Sequence, residues 1–147
     1  MTGPFSGPRM CAKTGTMRTK HCLTLDDAHR MMTAAKEEAL RNRWRVSVSI
    51  VDDSGFVVLL ERLDGANAKT PEISTLKAST AALSAKPKRA IEAMVAERPA
   101  TASFPGRLPV IGGLPIFHEG ECVGGIGVSG VQSQEDEQVA AAGLKAL

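Results

Sequence analysis

Tyrosine is absent from this chain of 147 residues, and tryptophan occurs once, at Trp44, beside four phenylalanines. So little aromatic surface leaves single-stranded nucleic acid almost nothing to stack upon. A block of one charge sign is missing as well. Of the 18 lysines and arginines, Arg9, Lys13, Arg18 and Lys20 fall in residues 1–22, which hold no acid; 14 basic side chains then face all 16 acidic ones. The body is mildly acidic, without the basic footprint of a nucleic-acid or membrane-surface protein. No apolar run reaches transmembrane length. The stretch "MTGPFSGPRMCAKTGTMRTK" lacks the apolar centre of a secretory signal. Cysteine is scarce too: Cys11, Cys22 and Cys122 are odd in number and form no C-x-x-C, which argues against a disulfide framework. The expectation is a cytoplasmic protein without nucleic-acid or membrane partners.

What is present suits one domain with a core of its own. Residues 1–21 read as a disordered or mis-started tail, with Met17 as an alternative start, and residues 22–147 as the domain. "TLDDAHRMMTAAKEEALRN" places Thr24 as N-cap with Asp27 three residues on, then apolar positions 28, 31, 32, 35 and 39, then Asn42 as a stop. "RVSVSIV" alternates from Val46 to Ile50 as a strand; "DDSG" turns it, and "FVVLLER" (56–62) returns as the second arm of a hairpin. Pro71 opens the helix "PEISTLKASTAALSA". Pro87 sits in the first turn of a shorter helix, "PKRAIEAMVAE", and a loop runs from Pro99 to Gly113. "LPIFH" and "ECVGGIGV" flank Glu119-Gly120 as a second hairpin, and "SQEDEQVAAAGLKAL" closes as a helix capped by Ser133 and Asp136. The order α-β-β-α-α-β-β-α, with strands paired in hairpins, predicts an α+β fold: helices on an antiparallel sheet.

Gly125, Gly127 and Gly130 spell G-x-G-x-x-G, the spacing of a dinucleotide loop. That loop requires a parallel β-α-β unit and an acidic residue about 20 positions on. Only 17 residues follow Gly130, and Glu135, Asp136 and Glu137 would meet a pyrophosphate with carboxylates. No nucleotide cofactor is expected. Pairing Phe117 opposite Cys122 places Phe117, Cys122, Ile126 and Val128 on one sheet face, and Ile116, Val123, Gly125 and Gly127 on the other. The glycines leave a flat patch, filled either by close helix packing within the subunit or by a neighbouring subunit or ligand.

"ERLDGA", "KASTAA", "GGLPI", "GECVGGIGVSG" and "DEQVAAAGLKAL" occur in this order over residues 22 to 147, and the chain thereby resembles the GlcG/HbpS family of haem-binding or haem-degrading proteins. The resemblance implies a profilin-like fold with a central antiparallel sheet and assembly into homo-oligomers, often octamers. It also implies a link to haem binding and breakdown or to small-molecule catabolism. The function expected from it is an oligomeric protein binding a small ligand, haem or a related tetrapyrrole. The alternative is a small catabolic enzyme or accessory factor acting on a carboxylate-bearing molecule at a subunit interface.

The ligand-contacting candidates are Arg62, Asp64, Lys77, Thr80, Gly112, Gly113, Gly125 and Gly127. Arg62 can fork onto a propionate or another carboxylate, or pair with Asp64. Lys77 and Thr80 lie one turn apart on a small-residue helix and face either a ligand or solvent. His118, at the hairpin tip beside Glu119, is chemically apt as a haem axial ligand or general base, or is an exposed turn residue. His21 and His29 show no partner in sequence. Cys122 reads as a small buried hydrophobe. No metal motif of the H-E-x-x-H or paired-cysteine kind is present.

Overall fold

A computed structural model of the chain describes residues 17–86, 88–100 and 112–147. Thr24 opens α1 (Leu25–Arg41): its hydroxyl accepts from the Asp27 N–H, and the Asp27 carboxylate accepts from the Thr24 N–H. The expected stripe Ala28, Met31, Met32, Ala35 and Ala39 is the buried face, and the Asn42 amide donates to Glu38 O at the helix end. β1 (Ser47–Asp52) and β2 (Val57–Arg62) form the first hairpin. One Asp52 carboxylate oxygen accepts from the backbone N–H of both Ser54 and Phe56 and so shapes the turn. α2 (Thr70–Ser84) carries Pro71 in its first turn and stops at Ala85, whose φ is 48°. α3 (Lys88–Glu97) follows. Pro87 and residues 101–111 of the expected loop lie outside the described residues. β3 (Gly113–His118), β4 (Glu121–Ser129) and α4 (Ser133–Leu144) complete the chain in the expected order. No described helix is long and apolar enough to cross a membrane.

The four strands lie in the order β2-β1-β4-β3, every neighbour antiparallel. Helices α1 and α4 cover one face, packing Met31, Met32, Ala35, Val139 and Ala140 against Val48, Ile50, Ile116, Ile126 and Val128. Helix α2 covers the other. β1 is therefore buried on both sides and sorts its side chains by face: Val48 and Ile50 toward α1 and α4, Ser47, Ser49 and Val51 toward α2. Ser47 Oγ meets Thr70 Oγ1 at 2.8 Å, and Ser49 Oγ meets Ser74 Oγ at 2.8 Å and Thr75 Oγ1 at 2.9 Å. These bonds satisfy the hydroxyls that burial removes from water.

The glycine patch of β4 is where α2 lies closest to the sheet. A Cβ at Gly125 would stand 2.2 Å from Ala78 O, and one at Gly127 would stand 2.1 Å from Ser74 O. Helix backbone of the same chain fills the flat patch. Since β4 is antiparallel to both neighbours, the G-x-G-x-x-G spacing belongs to a covered strand and not to a β-α-β loop.

Two local expectations are corrected. Phe117 does pair with Cys122, but the next pair is Ile116 with Gly124, so Val123 sits in a bulge. One extra residue exchanges the faces on either side of it. Ile116 and Val123 consequently join Ile126 and Val128 in the main core, while Cys122 Sγ lies 3.5 Å from Ala82 O on the α2 side. The start of α4 also differs from the expected Ser133 and Asp136 cap. Gln132 is the N-cap, its N–H donating to Glu135 Oε2 at 3.0 Å, and Asp136 turns inward.

Candidate functional site

The β3–β4 hairpin tip and the segment before α1 meet at one end of the sheet. The turn between the strands uses left-handed backbone at Glu119 and Gly120 (φ 48° and 81°), and the register sets His118 opposite Glu121. Leu23 packs against the core, and Lys20 Nζ holds Asp53 Oδ2 at 2.6 Å, so the intervening His21 is anchored from both sides. Its ring stands edge-on to His118, centroids 4.8 Å apart. His21 Nδ1 lies 3.0 Å from Glu121 Oε2, and Nε2 lies 3.4 Å from Glu119 Oε2. Hydrogen bonds from His21, with the charge of Arg18 nearby, hold the Glu121 carboxyl below its ordinary value.

A pocket of about 200 Å³ opens beside these rings, lined by His21, Cys22, Leu23, Asp27, Arg30, His118, Val123 and Leu147. Its lining combines the apolar side chains of Leu23, Val123 and Leu147 with two imidazoles, the Cys22 thiol and an Arg30 guanidinium bonded to Asp27. Two neutral imidazoles can ligate a metal centre through nitrogen, and arginine can meet a carboxylate. Among the described residues, His21, His118 and Glu119 are the group whose ligand atoms come within 4.8 Å of one another. The sequence places His21 and His118 far apart in the chain and contains no spacing signal for their meeting.

Lys77 and Asp136 form a different kind of site. Both side chains are 3% exposed; Lys77 Nζ donates to Asp136 Oδ2 at 2.8 Å and to Val128 O at 2.9 Å. The passage between them exists because Gly112 and Gly113 carry no side chains. A Cβ at Gly112 would stand 2.9 Å from Lys77 Nζ, and one at Gly113 would stand 2.3 Å from Lys77 O. Burial pushes the Asp136 carboxyl above the usual carboxylate range, while the Lys77 ammonium and the Val131 N–H pull it down. The acidic run 135–137 thus divides: Glu135 caps the helix, and Asp136 receives a buried lysine.

The remaining candidates lie elsewhere. Thr80 is buried and donates to Leu76 O at 2.7 Å, within α2. Arg62 donates from Nε and Nη2 to Ala66 O and so braces the turn containing the exposed Asp64. Arg62 pairs with Ser47, which pairs with Ser129, whereas His118 pairs with Glu121 at the opposite end of β4. Eight residues of strand separate the two ends, about 26 Å. Within one chain, the sequence candidates therefore fall into three places: the Arg62 end, the interior under α2, and the His118 end.

A model of haem degrading, HbpS-like proteins matches residues 23–145. Protein GlcG of Escherichia coli is 36% identical over 114 residues, covering 77% of this chain and 85% of that one. The crystal structure of a doubly substituted HbpS from Streptomyces reticuli superposes with a TM-score of 0.87 at 34% identity, covering 97% of this chain and 98% of that one. The crystal structure of a PduOC:haem complex superposes with a TM-score of 0.79 at 25% identity, covering 86% and 96%.

Proposed function

The chain belongs to the HbpS-like family, and on that premise we propose that it is an oligomeric small-ligand-binding protein that holds haem or a related tetrapyrrole at the His118 end of the sheet. The observation that carries the reading is the pocket itself, where His118 and His21 share the lining with the apolar side chains of Leu23, Val123 and Leu147. His118 would ligate the haem iron, the apolar lining residues would take part of the macrocycle, and Arg30 would meet a propionate by releasing Asp27. The related PduOC structure is a complex with haem, which supports the choice of ligand class. At about 200 Å³, the pocket is smaller than the roughly 300–1,000 Å³ that encloses drug-sized ligands. A second copy of the chain completes the enclosure, and that is the role of the oligomer.

The test is a haemin titration of the full chain followed at the Soret band, with albumin as the standard for nonspecific uptake. Saturable, stoichiometric uptake that is lost in His118→Ala is the expected result. Uptake that never saturates, or that survives His118→Ala unchanged, defeats the proposal. Arg62→Ala reports on the far end: weakened binding there would place the ligand where the Arg62 end of one chain meets the pocket of another.

A further inference from the structure

We propose that His21, His118 and Glu119 form a binding site for a single divalent first-row transition-metal ion, with Glu121 orienting His21 from behind. A bare ion on these side chains is independent of the haem reading. The geometry supplies three donors, two imidazole nitrogens and one carboxylate oxygen, mutually within 4.8 Å. Metal–nitrogen and metal–oxygen bonds of about 2.0–2.2 Å need donors roughly 3.4 Å apart in a tetrahedral set. An approach of about 1.4 Å between the most distant donors closes the cluster, and all three residues are exposed.

Three features distinguish this group from an accidental surface cluster. The first is the division of labour on His21. Its Nε2 faces Glu119, while Nδ1 lies 3.0 Å from Glu121 Oε2. A ligating histidine that donates its other N–H to a carboxylate has its tautomer and ring orientation set in advance. The second is the scaffold. Positive φ at Glu119 and Gly120 makes the tight turn that brings Glu119 beside His118, and the segment holding His21 is pinned by Lys20–Asp53 and by Leu23 in the core. The third is charge. Two carboxylates border two imidazoles, Lys20 is occupied by Asp53 and Arg30 by Asp27, so among the described residues Arg18 is the nearby cation left to oppose an incoming dication. Imidazole nitrogen with one carboxylate oxygen suits zinc, cobalt, nickel, copper or ferrous iron better than magnesium or calcium. Three protein donors leave at least one coordination position open to water or to an anionic ligand. Because His118 belongs to both sites, the bare ion and the tetrapyrrole exclude each other.

Cobalt(II) is the probe, added to haem-free full-length protein and followed by its visible ligand-field absorption and by calorimetry. The expected result is one saturable ion per chain with tetrahedral or five-coordinate band intensity. His118→Ala abolishes it, and Glu119→Gln weakens it about tenfold or more. Glu121→Ala also weakens it about tenfold, while Glu121→Gln, whose amide oxygen accepts the same Nδ1–H, restores most of the affinity. Absence of saturable uptake, or uptake indifferent to His118→Ala and Glu119→Gln, overturns the proposal. Haemin titration of the Glu119→Gln protein reads the other site separately: normal haem uptake with lost cobalt separates the two, and failure of haem binding leaves the cobalt result standing.

Discussion

Lys77 on α2 and Asp136 at the start of α4 meet across the edge of the sheet, 2.8 Å apart and both 3% exposed, through a passage lined by Gly112 and Gly113. The pair ties together helices that lie on opposite faces. Removing one partner leaves the other charged and buried, so Asp136→Ala is expected to cost about 3–5 kcal/mol. The double substitution Lys77→Met with Asp136→Leu removes both charges and should recover most of that loss. Urea unfolding midpoints of the three proteins check the prediction; an Asp136→Ala protein as stable as the parent would refute it.

Glycine positions divide by what a methyl group would meet. At Gly127 a Cβ would stand 2.1 Å from Ser74 O and 2.5 Å from Ala78 N, both backbone atoms that move only with the helix. Gly127→Ala is expected to destabilise the fold by about 3 kcal/mol or to prevent folding. At Gly120 nothing lies within 4 Å, but φ is 81°. Gly120→Ala should cost only the backbone penalty of about 1–2 kcal/mol. Thermal unfolding of both variants tests the contrast.

The Thr24–Asp27 cap has a pH signature. Hydrogen bonds from Thr24, first from its side chain and then from its backbone, and the nearby Arg30 hold the Asp27 carboxyl below its ordinary 3.8. A depressed folded pKa means stability that is present above 3.8 and lost as pH falls through the folded value. Asp27→Ala should cost about 1 kcal/mol at neutral pH, and the difference from the parent should vanish in strong acid. Denaturation at pH values on either side of that window is the measurement.

Glu121 reports on the His21 contact in solution. Its carboxyl is held below the ordinary 4.5 chiefly by the side-chain and backbone hydrogen bonds from His21. A carboxyl-carbon NMR titration should find it low in the parent and restored toward the ordinary value in His21→Ala. An unchanged titration would mean that the segment before α1 does not hold this position.

Much of the architecture follows from local signals. The cap at Thr24, the stripe from Ala28 to Ala39, the Asp52 turn and the two hairpins are each written within a few consecutive residues, and their order dictates antiparallel helices-on-sheet packing. Local alternation could not reveal the bulge at Val123, because a bulge leaves composition unchanged while exchanging faces. It was equally silent on Asp136, which resembles its neighbours Glu135 and Glu137 in a helix start but differs in where its side chain ends.

The motifs "ERLDGA", "KASTAA", "GGLPI" and "GECVGGIGVSG" were sufficient to place the chain in its family, since motif order is a property of the sequence itself. Tertiary structure decided what those residues do. Lys77, Gly112 and Gly113 converge on Asp136, Gly125 and Gly127 seat α2, and Arg62 braces its own turn at the end of the sheet away from His118. It also brought His21 against His118. Contacts between residues so distant in sequence depend on strand register and on where the segment before α1 is anchored, and no local propensity encodes either.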